Sequence, residues 1–259
     1  MTDPVPALRL TRRRFGTIAG GACASVALGA ACHGSDAQQR GNGRVTARLR
    51  SGIKTSGAGS RPLGLGEQRD AILHLPPKAA ATPSPLLVLL HGAGGSGAGI
   101  LRRLESVADD AGVAILAPDS RASTWDAIRG SIGPDVAFLS RALERVFETV
   151  SVDPARLSVG GFSDGASYAI SLGLLNGDLF RRVLAYSPGF FVGGPAEGKP
   201  RFFISHGSAD TVLPIDRCSR VIVPALQKQG YVVTFRQFDG GHDIPPDIAL
   251  AGMQWVAAV

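Results

Sequence analysis

Six short, unbroken apolar runs recur along the chain, at Leu86 to Leu90, Val113 to Ala117, Leu157 to Gly160, Val183 to Tyr186, Phe202 to Ser205 and Val232 to Phe235. Runs of this length, bounded by turn residues such as Pro83 and Pro85, suit strands buried on both faces of a parallel sheet. Between them the spacing turns helical. Val136, Leu139, Leu143, Val146 and Phe147 share one helical face, while Arg141, Glu144, Arg145 and Glu148 fill the other. Strands alternating with helices predict an α/β fold, a mostly parallel central sheet with helices on both faces. Ligands of such sheets bind beyond the carboxyl ends of the strands, so the residues after each run are the ones to inspect.

Charge is unevenly spread over the 259 residues. Of 27 Lys plus Arg and 21 Asp plus Glu, the first 61 residues hold ten basic and two acidic ones, so the remaining 198 carry a net charge of −2. A basic groove for nucleic acid is therefore excluded at the level of composition. With 44% hydrophobic residues the chain can build a core and is not disordered over most of its length. No repeat is visible, and residues 62 to 259 read as one catalytic-type domain. Its one cysteine, Cys218, reads as a small buried residue.

Residues 1 to 37 read as an export signal. Arg12, Arg13 and Arg14 precede Phe15, and a charge-free Gly/Ala-rich stretch from Ile18 to Ala31 follows, the layout of a secretory leader. The paired arginines resemble the twin-arginine address of bacteria, which implies the twin-arginine export machinery as a partner and a periplasmic or extracellular location. Cleavage after Ala37 and lipid attachment at Cys32 are the two alternatives for processing. Residues 38 to 61, with six basic and no acidic residues, read as a linker or solvated arm able to lie on an anionic surface, or as a first strand at Arg44 to Ile53, where Val45, Ala47 and Leu49 alternate with polar residues.

One strand exit reads Gly161-Phe162-Ser163-Asp164-Gly165. In a Gly-x-Ser-x-Gly elbow a strained strand-to-helix turn lifts the serine hydroxyl out of the sheet. With 34 glycines in the chain the pattern alone is weak, and its position between the Leu157 run and the helix-like Ala166 to Leu175 is what counts. A hydroxyl needs a base to take its proton and a carboxylate to orient that base, in the chain order Ser, Asp or Glu, His. His33, His74 and His91 precede the serine or lie in the leader, and His206 comes before any suitable carboxylate. His242 remains, in the Gly-rich loop after the last strand. Asp210, directly after the Phe202 strand, is the expected acid. Asp216 reads as an opener of the next helix, Asp119 as a turn residue, and Asp239 and Asp243 as shapers of the His242 loop.

The developing oxyanion needs two backbone N–H donors. Asp164, next to the nucleophile, should give one. The other should come from His91-Gly-Ala-Gly-Gly-Ser-Gly, where Ala93 is the expected donor and Gly94 the alternative, with His91 as a buttress. That loop lacks the Gly-Lys-Ser/Thr ending of a phosphate cradle.

The blocks Leu-His91-Gly-Ala-Gly-Gly, Ser123-Thr-Trp125-Asp, Gly-Phe-Ser163-Asp-Gly, His206-Gly-Ser-Ala-Asp210 and Gly-Gly-His242-Asp resemble the phospholipase/carboxylesterase branch of the α/β-hydrolase superfamily, related to acyl-protein thioesterases and polyester-depolymerase-like esterases. The resemblance covers about residues 64 to 257, with 47 positions from Ser163 to Asp210 and 32 on to His242. It implies a cofactor-free serine esterase acting on a small-molecule or polymeric ester, with thioesterase, polyester depolymerase or feruloyl-type esterase as alternatives on the same triad. A surface-tethered binding protein without activity is the alternative from another class. Pro188 to Arg201 is too short for a large lid, so a small cap or none is expected. Trp125, Phe190 and Phe191, at or after strand exits, are candidates to line an acyl pocket. No metal-ligand cluster or Cys-x-x-Cys spacing calls for a metal. Oligomeric state is not legible.

Overall fold

The computed structural model describes residues 43–79, 83–129 and 132–259. The export segment 1–37 with Cys32, both processing points, and residues 38–42 of the arm lie outside the described residues. In chain order the elements are β1 (Gly59–Pro62), β2 (Ala71–Leu75), β3 (Ser84–Leu90), α1 (Gly97–Ala111), β4 (Ala114–Pro118), α2 (Pro134–Thr149), β5 (Val152–Phe162), α3 (Asp164–Leu175), β6 (Arg182–Tyr186), β7 (Arg201–Gly207), α4 (Ser219–Lys228), β8 (Val233–Phe238) and α5 (Pro246–Ala257). The strands form one sheet in the order β1-β2-β4-β3-β5-β6-β7-β8. β2 runs antiparallel to both its neighbours, and every pairing from β4 through β3 to β8 is parallel. The six apolar runs are thus the six parallel strands.

Why these runs are unbroken is visible in β3, whose seven residues are all buried. Successive side chains of a strand point to opposite faces. Leu86, Val88 and Leu90 enter the core shared with α2, α3 and α4, including Phe138, Leu143, Ile170 and Leu226. Leu87 and Leu89 enter a second core with Leu101 and Leu104 of α1 and Met253 and Val256 of α5. Each leucine so buried contributes roughly 1.5–3 kcal/mol, and neither face can take a polar residue without loss.

The first-strand alternative at Arg44 to Ile53 is corrected: this segment forms no strand, bends at Ser51 and Gly52, and the first strand among the described residues lies at Gly59–Pro62. The alternation at Val45 and Ala47 arises because both side chains are buried in the α2/α3 core. The segment crosses helices rather than the sheet edge, so side chains satisfy its backbone. Val45 N–H donates to Asn176 Oδ1 at 2.8 Å, Thr46 N–H to Ser140 Oγ at 3.1 Å, and Asn176 Nδ2 donates to Gly43 O at 2.9 Å. Arg44 forks onto Asp178 at 2.9 and 2.6 Å. Residues 43–50 are therefore a strap on the body rather than a solvated arm. Asn176→Ala would leave the Val45 N–H and the Gly43 carbonyl unpaired, and it is expected to lower unfolding free energy by about 2–4 kcal/mol. A urea midpoint equal to that of the wild type would show that the strap adds no stability.

Candidate active site

Ser163 sits between β5 and α3 with φ 57° and ψ −119°, one of two non-glycine residues with positive φ among those described. That strain is tolerated because the surroundings determine it. Ser163 N–H donates to Tyr186 O at 2.9 Å, and Ser163 O accepts from the N–H and hydroxyl of Ser167 at 3.0 and 3.1 Å. The flanking glycines are needed for space. A Cβ on Gly161 would lie 2.6 Å from Leu90 O and from the Gly165 carbonyl carbon, and one on Gly165 would collide with the carbonyls of Leu90 and His91. β3, β5 and the start of α3 thus meet with no room for a methyl group.

The loop after β3 lies against this turn, a Cβ on Gly92 falling 3.3 Å from Ser163 Cβ. Gly94 N–H is taken by Ser123 O at 2.7 Å and Gly95 N–H by Gly92 O at 3.0 Å. The alternative donor Gly94 is therefore occupied, whereas no acceptor among the described residues takes the Ala93 N–H. Asp164 opens α3, and the first N–H groups of a helix have no partner within it. Its carboxylate accepts from Thr124 Oγ1 at 2.8 Å. Two N–H groups, one of them at the positive end of a buried helix, are thus available beside Ser163.

His91 is buried and buttresses the loop. Its Nε2 accepts from Ser120 N–H at 3.0 Å, which puts the ring hydrogen on Nδ1, where it donates to Gly92 O at 2.7 Å. Burial lowers its pKa, in keeping with a neutral ring. Trp125 and Phe191, candidates for a pocket wall, are corrected: they are 0% and 1% exposed and cannot touch a substrate in this conformation. Trp125 donates from Nε1 to His91 O at 2.8 Å and stacks on Tyr168 at 5.3 Å, which makes it a prop behind the loop. Phe190 is half-buried.

Asp210 and His242 come from the loops after β7 and β8. Ser208 N–H donates to Phe238 O at 2.8 Å and Ala209 N–H to Gly240 O at 2.9 Å, and these bonds draw the two loops together. Gly207 lets them close, because a Cβ there would meet the carbonyls of Gly240 and Gly241. Asp210 Oδ1 accepts from the N–H groups of Val212 and Leu213 at 2.9 and 2.8 Å, and Oδ2 accepts from His242 Nδ1 at 2.6 Å. Burial alone would raise the Asp210 pKa. The Leu213 N–H, His242 and the Val212 N–H outweigh it and hold the carboxyl below its usual value. With Nδ1 facing a carboxylate, the His242 lone pair is on Nε2. The His242 ring rests on Phe162, the residue before Ser163, with centroids 4.7 Å apart.

The other aspartates make local contacts. Asp243 pairs with Arg103, Asp239 accepts from Ser208 Oγ at 3.2 Å, and Asp119 accepts from Gly97 N–H at 2.7 Å where α1 begins. Asp216 lies in the 3-10 turn before α4 and pairs with Arg220. Sequence reasoning missed His206. It is fully buried, with Nε2 3.2 Å from Asp210 Oδ2. The only available signal was its place four residues before Asp210.

No protein-family model matches the chain. It is 32% identical over 180 residues to the protein named "Putative esterase NocK" of Nocardia uniformis subsp. tsuyamanensis, covering 63% of this chain and 52% of that protein. It is 29% identical over 157 residues to feruloyl esterase C of Emericella nidulans, covering 51% and 57%. The chain thus spans about half the length of the curated relatives it matches. Among solved structures, a phospholipase/carboxylesterase of Dyadobacter fermentans superposes with a TM-score of 0.57 at 21% identity, over 73% of this chain and 97% of that one. At this identity the likeness is one of fold.

Proposed function

We propose that this chain, whose sheet has the α/β-hydrolase fold, belongs to the α/β-hydrolase superfamily and hydrolyses carboxylic esters through a covalent acyl-enzyme. Ser163 Oγ attacks the carbonyl carbon while His242 Nε2 takes its proton, and the N–H groups of Ala93 and Asp164 hold the oxyanion. Asp210 keeps His242 in the Nδ1–H tautomer and stabilises the imidazolium. Collapse of the tetrahedral intermediate breaks the bond to the alcohol oxygen, which leaves with the proton from His242. Water, deprotonated by His242, then attacks the acyl carbon and frees the acid and Ser163.

The observation that carries this reading is the 2.6 Å bond between Asp210 and His242 at strand exits beside the strained Ser163. The esterase names of both curated relatives support it and favour a small-molecule ester. The connection from Ser187 to Pro200 contains no helix, which supports a site without a large lid. Export by the twin-arginine route belongs to the same proposal and rests on residues 1 to 37 alone.

A fluorophosphonate probe, which phosphonylates an activated serine, is expected to raise the intact mass of the protein by one probe adduct located at Ser163. A purified, folded protein that takes up no probe would sink the esterase reading and favour a binding protein that has kept the fold. Relative rates on oxygen esters, thioesters, feruloyl esters and a polyester film then separate the enzyme classes, since pocket shape rather than the triad decides among them.

A further inference from the structure

Two imidazole rings converge on one oxygen. Asp210 Oδ2 lies 2.6 Å from His242 Nδ1 and 3.2 Å from His206 Nε2. We propose that His206 is a positioning residue for the reaction: its Nε2–H lies against Asp210 Oδ2 as a second donor and keeps that oxygen aimed at His242, while Ser219 holds the ring from its Nδ1 side. The inference rests on the esterase reading above and assigns a role in it to a residue that touches no substrate.

The tautomer follows from the partners. His206 Nε2 faces only acceptors, the Leu213 carbonyl at 2.7 Å and the carboxylate oxygen at 3.2 Å, so Nε2 carries the hydrogen. Nδ1 then accepts from the hydroxyl of Ser219 at 2.7 Å. His206 and Ser219 are both 0% exposed, and burial lowers the His206 pKa, which keeps the ring neutral with one hydrogen.

Geometry gives the ring its leverage. Leu213 donates its N–H to Asp210 Oδ1 and offers its carbonyl to His206, so the one ring ties down both the carboxylate and the turn that cradles it. Oδ1 is held by two backbone donors. Without His206, Oδ2 would be held only by His242, the partner that changes protonation in every cycle. The other ionisable groups nearby do not replace this bond. Asp243 pairs with Arg103 beside His242, and the Cys218 thiol near Asp210 is pushed up to about 11 by burial.

The test compares His206→Leu, which removes the donor, with His206→Gln, whose side-chain amide can return an N–H near the same place. On a short p-nitrophenyl ester, His206→Leu is expected to lower kcat by about 10- to 100-fold with KM within about twofold, and His206→Gln to recover most of kcat. Proton spectra should show the low-field resonance of the His242 Nδ1–H bonded to carboxylate in the wild type and in His206→Gln, broadened or lost in His206→Leu. Ser219→Ala keeps the ring and removes the bond that steadies its Nδ1 edge, so it tests the same chain if His206→Leu does not fold; a kcat loss of about 3- to 10-fold is expected. Full activity in His206→Leu or in Ser219→Ala, or a His206→Gln variant as impaired as His206→Leu, overturns the assignment. The resonance needs no turnover, so it judges the role of His206 even if the wild type proves inactive on every ester, an outcome that would count against the esterase reading instead.

Discussion

Replacing Ser163 with alanine is expected to lower kcat on a short p-nitrophenyl ester by about four to six orders of magnitude. At about 1.4 kcal/mol per decade this is roughly 5–8 kcal/mol of transition-state stabilisation, far above any single packing effect at this position. The reason is chemical. In the proposed mechanism no acyl-enzyme would form without the hydroxyl, and only the N–H groups of Ala93 and Asp164 would remain to stabilise attack by water. Those two donors stay in place, because the bonds from Ser163 N–H to Tyr186 and from Ser167 to Ser163 O are backbone properties at residue 163 and survive the substitution. KM and thermal stability should therefore change little. A variant retaining more than about a hundredth of wild-type kcat would remove Ser163 from the role of nucleophile.

Asp210→Asn is expected to have the second largest effect, a fall in kcat of about four orders of magnitude. Three hydrogen bonds reach this carboxylate, from the Val212 and Leu213 N–H groups to Oδ1 and from His242 to Oδ2, and His206 Nε2 lies 3.2 Å from Oδ2. An amide brings an NH2 group into that ring of donors, whichever way it turns. If it faces His242, the imidazole must move its hydrogen to Nε2, and the lone pair that should accept the serine proton is gone. If it faces the backbone, two buried N–H groups lose an acceptor, at about 1–3 kcal/mol each. Steady-state kinetics with a melting curve separates the two placements. A rate within tenfold of wild type would show that another group orients His242.

The parallel half of the fold was legible because its strands are buried on both faces, which prints as unbroken apolar runs. β1 and β2 were not. β1 reads Gly-Ser-Arg-Pro and is almost entirely exposed at the sheet edge, so nothing hydrophobic marks it. β2 carries a buried polar residue, His74, bonded to Ser60 and Asp109 at 2.8 and 2.9 Å, and this interrupts an already short run. α5 is apolar on most sides and has little periodicity to read. In the site, chain order and strand exits singled out the positions of Ser163, Asp210 and His242. They misjudged Trp125 and Phe191, because a strand exit fixes the end of the sheet at which a residue lies but not how deep its side chain is buried. His206 escaped for a related reason. Chain order asks which residue can act as a base and is silent on what steadies the acid.

The strap over residues 43–50 fastens to Asn176 and Asp178, just beyond the end of α3 opposite Ser163. A helix of 12 residues is about 18 Å long. Any pull on chain upstream of Gly43 is therefore delivered first to a side-chain clamp at the far end of the helix that aims the serine, and not to the hydrogen-bonded ladder of the sheet. The clamp is a handful of polar contacts backed by the buried side chains of Val45 and Ala47, and it stands ahead of the sheet on the path of any such load. Disturbance of the upstream chain would thus have to undo this clamp before it reached the serine turn.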